Sequence, residues 1–352
     1  MPQRAAGRQI VVLKMDDLAT SWWREWKILT DLIKAENVKA GLGIFAASLL
    51  EGDAAYDAWI ADLVADGRFE LWFHGYTGSG PNNEPGREHQ GTPYAYQKAS
   101  FDRSRQALLS RCDLIMRTYS EHWHGGDATT VKVFNEDPSL RVWMCWAWSH
   151  QEERVRDVPA DRRLLDNLPV AMECPDPKNW TPGYINFSEF EKEYRGHESD
   201  PTLVLQGHPW SWTETSAKPD RTGAVLDRWE EFRKIVRFLK ARDALFLNPY
   251  EVYLQQRGYA TDTTPPAAPT DVVVTRSGAD TVSLAWKAPA PPASGLDCYK
   301  IYRNGRPVGL SVTPTWTGML PGLAPSDSFE VAAVSKAERV SAKSRRGRRG
   351  HI

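Results

Sequence analysis

The sequence has few cysteines, no long apolar run and almost no net charge. Only 4 of its 352 residues are Cys and none forms a Cys-x-x-Cys pair, so neither a disulfide framework nor a zinc knuckle is predicted. No apolar run reaches the roughly 18 to 20 residues that a membrane-spanning helix needs. The 44 Lys and Arg residues balance 45 Asp and Glu residues, which argues against a broadly basic, nucleic-acid-binding surface. We therefore expect a globular protein with no membrane span and no nucleic-acid partner.

A stretch rich in proline and threonine divides the sequence. Residues 259–269 are predicted to form an extended linker between a first domain, residues 1–258, and a smaller second domain, residues 270–344. In the second domain short alternating stretches are separated by turn signals, a pattern typical of a small antiparallel sandwich. Residues 345–352 are predicted to form a basic, solvated tail.

The second domain resembles a fibronectin type III domain. The resemblance rests on Leu284-x-Trp286, on the run from Tyr299 to Gly305, and on Phe329, which stands where the family usually has Tyr. It implies a spacer or a glycan- or protein-binding appendage of the kind common on secreted bacterial enzymes. No leader-like apolar segment precedes the first strand, yet the resemblance favours a secreted or periplasmic protein.

Strand-like and helix-like segments alternate through the first domain. Strands are predicted at Ile10–Lys14, Lys39–Phe45, Phe69–Phe73, Thr130–Phe134, Val142–Trp148, Val170–Glu173, Thr202–Leu205 and Ala244–Leu247. Helices are predicted at Trp22–Glu36, Ala54–Asp66, Tyr94–Thr118 and Ala224–Ala241. Repeated strand–helix units over this length predict a parallel (β/α) barrel, with a doubly wound sheet as the alternative. In such barrels the chemistry takes place at the C-terminal ends of the strands.

Three predicted strands end in residues that can do acid–base or metal chemistry: the first in Asp16-Asp17, the third in His74 and the seventh in His208. A divalent metal ion held by Asp and His polarises a carbonyl group and lowers the pKa of its bound water. A second carboxylate can then accept the proton of the water, and a histidine can protonate the leaving group. Since adjacent strand residues point to opposite faces, both carboxylates reach one site only where the chain bends.

Each of these residues also has an ordinary structural explanation. Asp16-Asp17 could cap the following helix, and His74 could be a satisfied core histidine. His122 and His124 are predicted to lie in a helix-to-strand loop at the opposite end of the barrel, as part of a polar loop without a functional role. Only the joint placement of charged residues at three strand ends favours a functional site.

Three motifs resemble those of the polysaccharide deacetylases, metal-dependent carbohydrate esterases built on a distorted parallel (β/α) barrel. Met15-Asp16-Asp17 matches the family's aromatic-Asp-Asp motif. His74-Gly-Tyr-Thr77 begins the family's His-x-x-x-His motif, and Leu205-Gln-Gly-His208 matches its late Leu-x-His motif with one additional residue. The resemblance extends over Ile10–Tyr253.

The resemblance implies a role for each matched residue. Asp17 and His74 would hold a divalent metal ion, for which Zn²⁺ is expected, Asp16 would be the general base and His208 the general acid. The second metal-binding histidine of the family would fall at position 78, where this sequence has Gly. We therefore assign His89, in the same loop, as the further metal ligand. The alternatives are Glu84 and Glu88 of that loop, and His150 and His197 after later strands.

Aromatic residues near the predicted strand ends indicate a cleft that stacks sugar rings. The expected substrate-binding residues are Tyr76, Asn135, Trp22, Trp146, Trp148 and Trp210. Asn135 stands in the stretch that replaces the family's Arg-and-Pro motif.

The sequence thus predicts a carbohydrate-active hydrolase that removes an acetyl group from a polysaccharide or oligosaccharide. A polysaccharide lyase or glycoside hydrolase on the same barrel is one alternative. A catalytically degenerate glycan-binding protein is another.

Overall fold

The computed structural model describes residues 7–146, 163–167, 186–216, 218–219, 223–344 and 348–349. The chain divides into two compact units. The first comprises Met1–Ser104 and Met116–Val252, and the second Arg105–Ile115 and Tyr253–Ile352. No helix in the described part of the chain combines the length and the apolar character needed to cross a membrane.

Parallel strands form the sheet of the first unit. They are β1 (Ile10–Leu18), β2 (Ala40–Ile44), β3 (Phe69–Phe73), β4 (Thr118–Tyr119), β5 (Val142–Trp146), β6 (Arg163–Asn167), β7 (Thr202–Gly207) and β8 (Leu245–Phe246). Their hydrogen-bonded order is β6-β5-β4-β3-β2-β1-β7, and β8 also pairs with β1. Every one of these pairings is parallel. The predicted class, a distorted parallel (β/α) barrel, is confirmed.

Helices connect these strands. They are α1 (Trp23–Glu36), α2 (Ser48–Glu51), α3 (Ala54–Asp66), α4 (Tyr94–Cys112), α5 (Ala128–Glu136), α6 (Phe187–Tyr194), α7 (Pro209–Thr215), α8 (Arg228–Lys240) and α9 (Pro249–Gln256). Short 3-10 helices occupy Thr20–Trp22 and His122–His124. Helix α8 is amphipathic, and its apolar residues Phe232, Ile235, Val236 and Leu239 are buried.

The first halves of β1 and β7 and all of β2 are apolar or small, as expected of parallel strands that are covered on both faces. Val11, Val12 and Leu13 in β1 are fully buried, and all of β2 is buried. In β2 the residue at position 43 is Gly, and a Cβ there would overlap the ring of Trp72 on β3. The missing side chain therefore makes room for a large indole inside the sheet.

One predicted strand is a helix. Thr130–Phe134 lies inside α5, because Asp127 caps its first turn and Thr130 completes a capping box with the Asp127 backbone. The parallel strand at this place in the order is β4, two residues long, which the prediction absorbed into the preceding helix. The predicted strand Val170–Glu173 lies outside the described residues.

The second unit contains two sheets, whose strands pair antiparallel except for the parallel pair of β15 with β9. Its strands are β9 (Thr270–Arg276), β10 (Thr281–Lys287), β11 (Leu296–Arg303), β12 (Arg306–Ser311), β13 (Thr315–Met319), β14 (Phe329–Ser335) and β15 (Arg348–Arg349). One sheet has the order β13-β10-β9-β15 and the other β12-β11-β14. Trp286 and Tyr299 meet at 5.1 Å between ring centroids in a core that includes Ile301 and Val331. The expected all-β C-terminal architecture is present.

Candidate active site

A bend at the end of β1 brings Asp17 to the C-terminal edge of the sheet. The register of β1 against β2 shifts between Met15 and Leu18, and Asp17 has a left-handed backbone with φ of 74°. Asp tolerates this conformation better than most residues, because its short polar side chain can hydrogen-bond locally. The two adjacent carboxylates are therefore no longer constrained to the strict alternation of a strand. Asp16 and Asp17 could serve one site only if the chain bends here, and the structure has this bend.

His74 lies directly beside Asp17. It follows β3, and its Nε2 atom is 3.1 Å from Oδ1 of Asp17. Its Nδ1 atom is 2.8 Å from the carbonyl oxygen of Ser120, just after β4. Because a carbonyl oxygen only accepts, Nδ1 carries a proton and donates it. Phe45 stacks on the imidazole at 5.4 Å and Trp72 meets it edge-on at 5.0 Å.

His122 is a member of this site that the sequence prediction placed at the wrong end of the barrel. It follows β4, so it lies at the same edge as Asp17, and its Nε2 atom is 3.6 Å from Oδ1 of Asp17. The rings of His74 and His122 are 5.4 Å apart. The signal was the short run Ile115–Tyr119, whose β-branched and aromatic residues allow a strand shortly before Glu121-His122.

His208 and Trp210 reach the other oxygen of the same carboxylate. Both follow β7, at the start of α7. The Nε2 atom of His208 is 3.8 Å from Oδ2 of Asp17, and Nε1 of Trp210 donates a hydrogen bond to that oxygen at 3.1 Å. Trp22, 37% exposed, lies 5.8 Å from the Trp210 ring. One carboxylate thus stands among three histidines and an indole N–H group.

The electrostatics of the cluster follow from this geometry. Burial alone would raise the pKa of Asp17, but the hydrogen bond from His74 and the charges of His208, His74 and His122 together lower it well below its usual range. Burial lowers the pKa of His122, against the opposing effect of Asp17. Asp17 is therefore an anion at neutral pH, and His122 is biased toward the neutral imidazole.

Asp16 has a different partner. Its two carboxylate oxygens accept hydrogen bonds from Nζ of Lys14 at 2.6 and 2.5 Å, and both side chains are buried. The same ammonium lies 5.0 Å from the ring centroid of Trp72 and 3.5 Å from Oε1 of Gln206. Lys14 and Asp16 are two residues apart on a strand, so they share a face. A buried cation thus holds the predicted base, a feature that the sequence prediction missed.

His89 is not placed as a metal ligand. Its Nδ1 atom is 2.9 Å from the Tyr119 hydroxyl and its Nε2 atom is 3.0 Å from the Ser100 hydroxyl. The ring packs against Phe73 and Phe101. Both nitrogen atoms are engaged within a packed aromatic cluster, so the assignment of His89 as the further ligand is corrected.

The remaining predicted contact residues are spread more widely. The Tyr76 ring is covered by the Arg103 guanidinium, 4.4 Å from its centroid. Asn135 lies near the end of α5, which leads away from the C-terminal edge, so its predicted place after a strand is corrected. Trp146 is the last residue of β5, and Trp148 lies outside the described residues.

The donor set at Asp17 suits a divalent metal ion, although no group of three or more His, Cys, Asp or Glu side chains in the described part of the chain is already arranged to hold one. In His74 and His122 the Nδ1 atom donates to a backbone carbonyl, so Nε2 supplies the metal-binding lone pair of each ring once the proton that Nε2 of His74 donates to Asp17 is released on metal binding. Both lone pairs face the carboxylate of Asp17, an arrangement that a cation between them would stabilise. Imidazole nitrogen and carboxylate oxygen are typical ligands of Zn²⁺.

No family model and no curated protein matches the sequence. A similar solved structure is a family 4 acetyl xylan esterase from Clostridium thermocellum in complex with a cobalt ion, 13% identical, with a TM-score of 0.46, covering 71% of this chain and 92% of that chain. A CE4 family pseudoenzyme from Bacillus anthracis is 10% identical, with a TM-score of 0.42, and the match covers 70% of this chain and 66% of that one. Domains A168–A170 of titin match 24% of this chain and 31% of theirs, at 26% identity and a TM-score of 0.21. At these identities and TM-scores the similar structures do not indicate a function for this chain, and a function has to be argued from the residues of the site.

Proposed function

We propose that this protein is a metal-dependent hydrolase of the polysaccharide deacetylase type, which removes an acetyl group from a polysaccharide or oligosaccharide. The proposal includes a secreted or periplasmic location, and a fibronectin type III-like C-terminal domain that serves as an appendage. The observation that carries it is the convergence of histidine Nε2 atoms on the partly buried carboxylate of Asp17, at 3.1 Å for His74 and 3.6 Å for His122.

Four residues would have separate roles in metal binding and proton transfer. Asp17 and His74 would hold the metal ion, and the backbone carbonyl of Ser120 fixes the ring of His74 through Nδ1. When bound, a divalent ion polarises the acetyl carbonyl group and lowers the pKa of a water molecule. Asp16 accepts the proton of that water, with Lys14 holding the carboxylate in place. His208 donates a proton to the leaving amine or alcohol.

Aromatic side chains would bind the sugar. Trp22 and Trp210 form a tilted pair beside the carboxylate, and part of Trp22 is exposed. Aromatic rings present large apolar faces with a polar edge, which suits the faces of pyranose rings.

Acetate release from a panel of acetylated oligosaccharides tests this proposal. We expect release that stops with a chelator and returns with added Zn²⁺. In His208→Gln turnover should fall by about 10²- to 10⁴-fold, the usual contribution of a general acid, with no change in the bound metal. Asp16→Asn should show the same loss, provided that its circular dichroism spectrum shows it folded.

Three results would contradict the proposal. Acetate release that is indifferent to the chelator would remove the metal from the mechanism. Unsaturated sugar products without acetate would favour a lyase, and glycan binding that yields no product would favour a binding protein.

A further inference from the structure

We propose that His122 supplies the third protein ligand of the metal site, and that the glycine at position 78 is what allows it to do so. The inference rests on the proposed function and goes further by moving one ligand from the loop after β3 to the loop after β4.

The space at position 78 is filled by other residues. A Cβ atom on Gly78 would lie 2.4 Å from Cε1 of Phe45 and 2.9 Å from Nδ1 of His122, closer than real Cβ contacts allow. The backbone there is left-handed, with φ of 74°, which glycine adopts without strain. A side chain at position 78 would overlap both rings, and Phe45 and the imidazole of His122, which pack edge-on at 5.0 Å, would have to shift. The lack of a side chain at Gly78 therefore leaves the space that the His122 imidazole occupies.

The backbone of Gly78 also orients His122. Its carbonyl oxygen accepts a hydrogen bond from Nδ1 of His122 at 2.8 Å and another from the amide of Gly86 at 2.9 Å. Its own amide donates to Oε2 of Glu88 at 2.6 Å. The buried Glu88 carboxylate also accepts from the amides of Tyr76 and Thr77, at 2.8 and 3.1 Å. The carbonyl group that fixes His122 is thus held from both sides.

The consequence is a ligand with one available nitrogen. Because Nδ1 donates to a carbonyl group, Nε2 of the neutral ring is unprotonated and faces Oδ1 of Asp17 at 3.6 Å. Phe45 meets the ring edge-on at 5.0 Å and limits its rotation. His74 has the same arrangement, with a backbone carbonyl at Nδ1 and Asp17 at Nε2. Such carbonyl partners commonly orient metal-binding histidines.

Zn²⁺ affinity is the direct test, measured by competition with a chromophoric chelator on the full chain. His122→Ala should bind Zn²⁺ at least about 100-fold more weakly than the parent, beyond the effect of losing an outer partner. His122→Gln should also lose affinity, and it keeps the side-chain volume should His122→Ala fail to fold. His89→Ala should retain the parent's affinity, because His89 contacts Ser100 and Tyr119 instead.

Gly78→Ala tests the role of the glycine. We expect a roughly 10- to 100-fold loss of Zn²⁺ affinity, because the new methyl group displaces the His122 ring. The matched control is Gly67→Ala: Gly67 has φ of 73° at the end of α3, and nothing lies within 4 Å of its Cβ position. Both variants carry the same backbone strain, and only one touches His122.

The outcomes separate this inference from the proposed function. If the parent binds Zn²⁺ and both His122 variants bind it equally well, the third ligand lies elsewhere and only the inference fails. If Gly78→Ala and Gly67→Ala bind Zn²⁺ equally well, the glycine at position 78 is not what allows His122 to bind the metal. If the parent binds no Zn²⁺, the inference and the proposed function fall together.

Discussion

Lys14 and Asp16 form an ion pair that is buried beside the site, with both side chains at most 3% exposed. Removing one partner of such a pair leaves an uncompensated charge in a medium of low polarity. We therefore expect Lys14→Met to lower the free energy of unfolding by about 3–5 kcal/mol. Urea denaturation measures this.

Lys27→Met is the control for that loss. Lys27 forms an equally close pair with Asp31, at 2.7 Å, but both side chains are more than half exposed. This variant should cost about 0.3–0.5 kcal/mol, as exposed helix pairs do. Similar losses of stability in the two variants would show that the Lys14–Asp16 pair is stabilised no more than an exposed ion pair.

Trp210 offers a second prediction for a single residue. Its Nε1–H group donates to the Asp17 oxygen that does not face His74. Trp210→Phe keeps an aromatic ring beside Trp22 but removes this donor, so Zn²⁺ affinity should fall by roughly 10- to 100-fold. Trp316→Phe, on β13 of the second unit, should leave the affinity unchanged. An unchanged affinity in Trp210→Phe would show that the indole N–H does not orient the carboxylate.

At the scale of elements, α5 depends on its cap. Asp127 accepts hydrogen bonds from the amides of Thr129, Thr130 and Gly91. Asp127→Ala should cost about 1–2 kcal/mol, at the upper end for an N-cap, because the contact with Gly91 is lost as well. Asp53→Ala removes a cap that accepts only two amides, on α3, and should cost less. Urea denaturation of the two variants makes the comparison.

The loss at Asp127 should also depend on pH. Burial raises the pKa of Asp127, but the hydrogen bonds from Gly91, Gln97, Thr130 and Thr129 outweigh it, and the pKa lies below its ordinary value of 3.8. A carboxyl group with a lowered folded-state pKa stabilises the protein above its unfolded-state pKa, and less as the pH falls through the folded-state value. The stability difference between the parent and Asp127→Ala should therefore be constant near neutral pH and shrink below about pH 4. A constant difference down to pH 2.5, measured by urea denaturation, would contradict this.

The elements between α3 and α5 show where sequence patterns are enough to predict a helix or strand and where they are not. Ala54–Asp66 and Phe69–Phe73 were predicted at their observed bounds, since a cap and a helical period or a compact apolar run define them locally. Thr130–Phe134 has β-branched residues that favour a strand, but the Asp127 cap and burial of one helical face determine a helix. The true strand, Thr118–Tyr119, is too short to show a period.

That one error misplaced His122. With β4 unrecognised, the residues after it were assigned to the opposite end of the barrel. Asp17, His74 and His208 follow strands with strong apolar runs, so their joint placement could be predicted. The pairing of Lys14 with Asp16 and the coupling of Gly78 with His122 depend on packing between strands and loops, which no local pattern encodes.

At the scale of the whole molecule, we expect the two compact units to respond differently to metal. A ligand that binds only the folded state of one unit stabilises that unit, by about 2.7 kcal/mol at a hundred times its Kd. We therefore expect two thermal transitions, of which Zn²⁺ raises only the one that belongs to the first unit. Trp286→Ala, in the core of the second unit, should lower the other transition. Calorimetry with and without Zn²⁺ distinguishes them, and a shift of both transitions by Zn²⁺ would contradict a site confined to the first unit.

The most direct test of the central claim is the metal content of the purified chain, measured by elemental analysis beside Asp17→Asn. Asn tolerates the left-handed backbone at position 17 but carries no charge, so the substitution removes the ligand with little strain. The account predicts about one zinc-like ion per chain in the parent and none in the variant, as a single site requires. A parent chain that holds no metal even after supplementation with Zn²⁺, or a variant that holds as much as the parent, would contradict it.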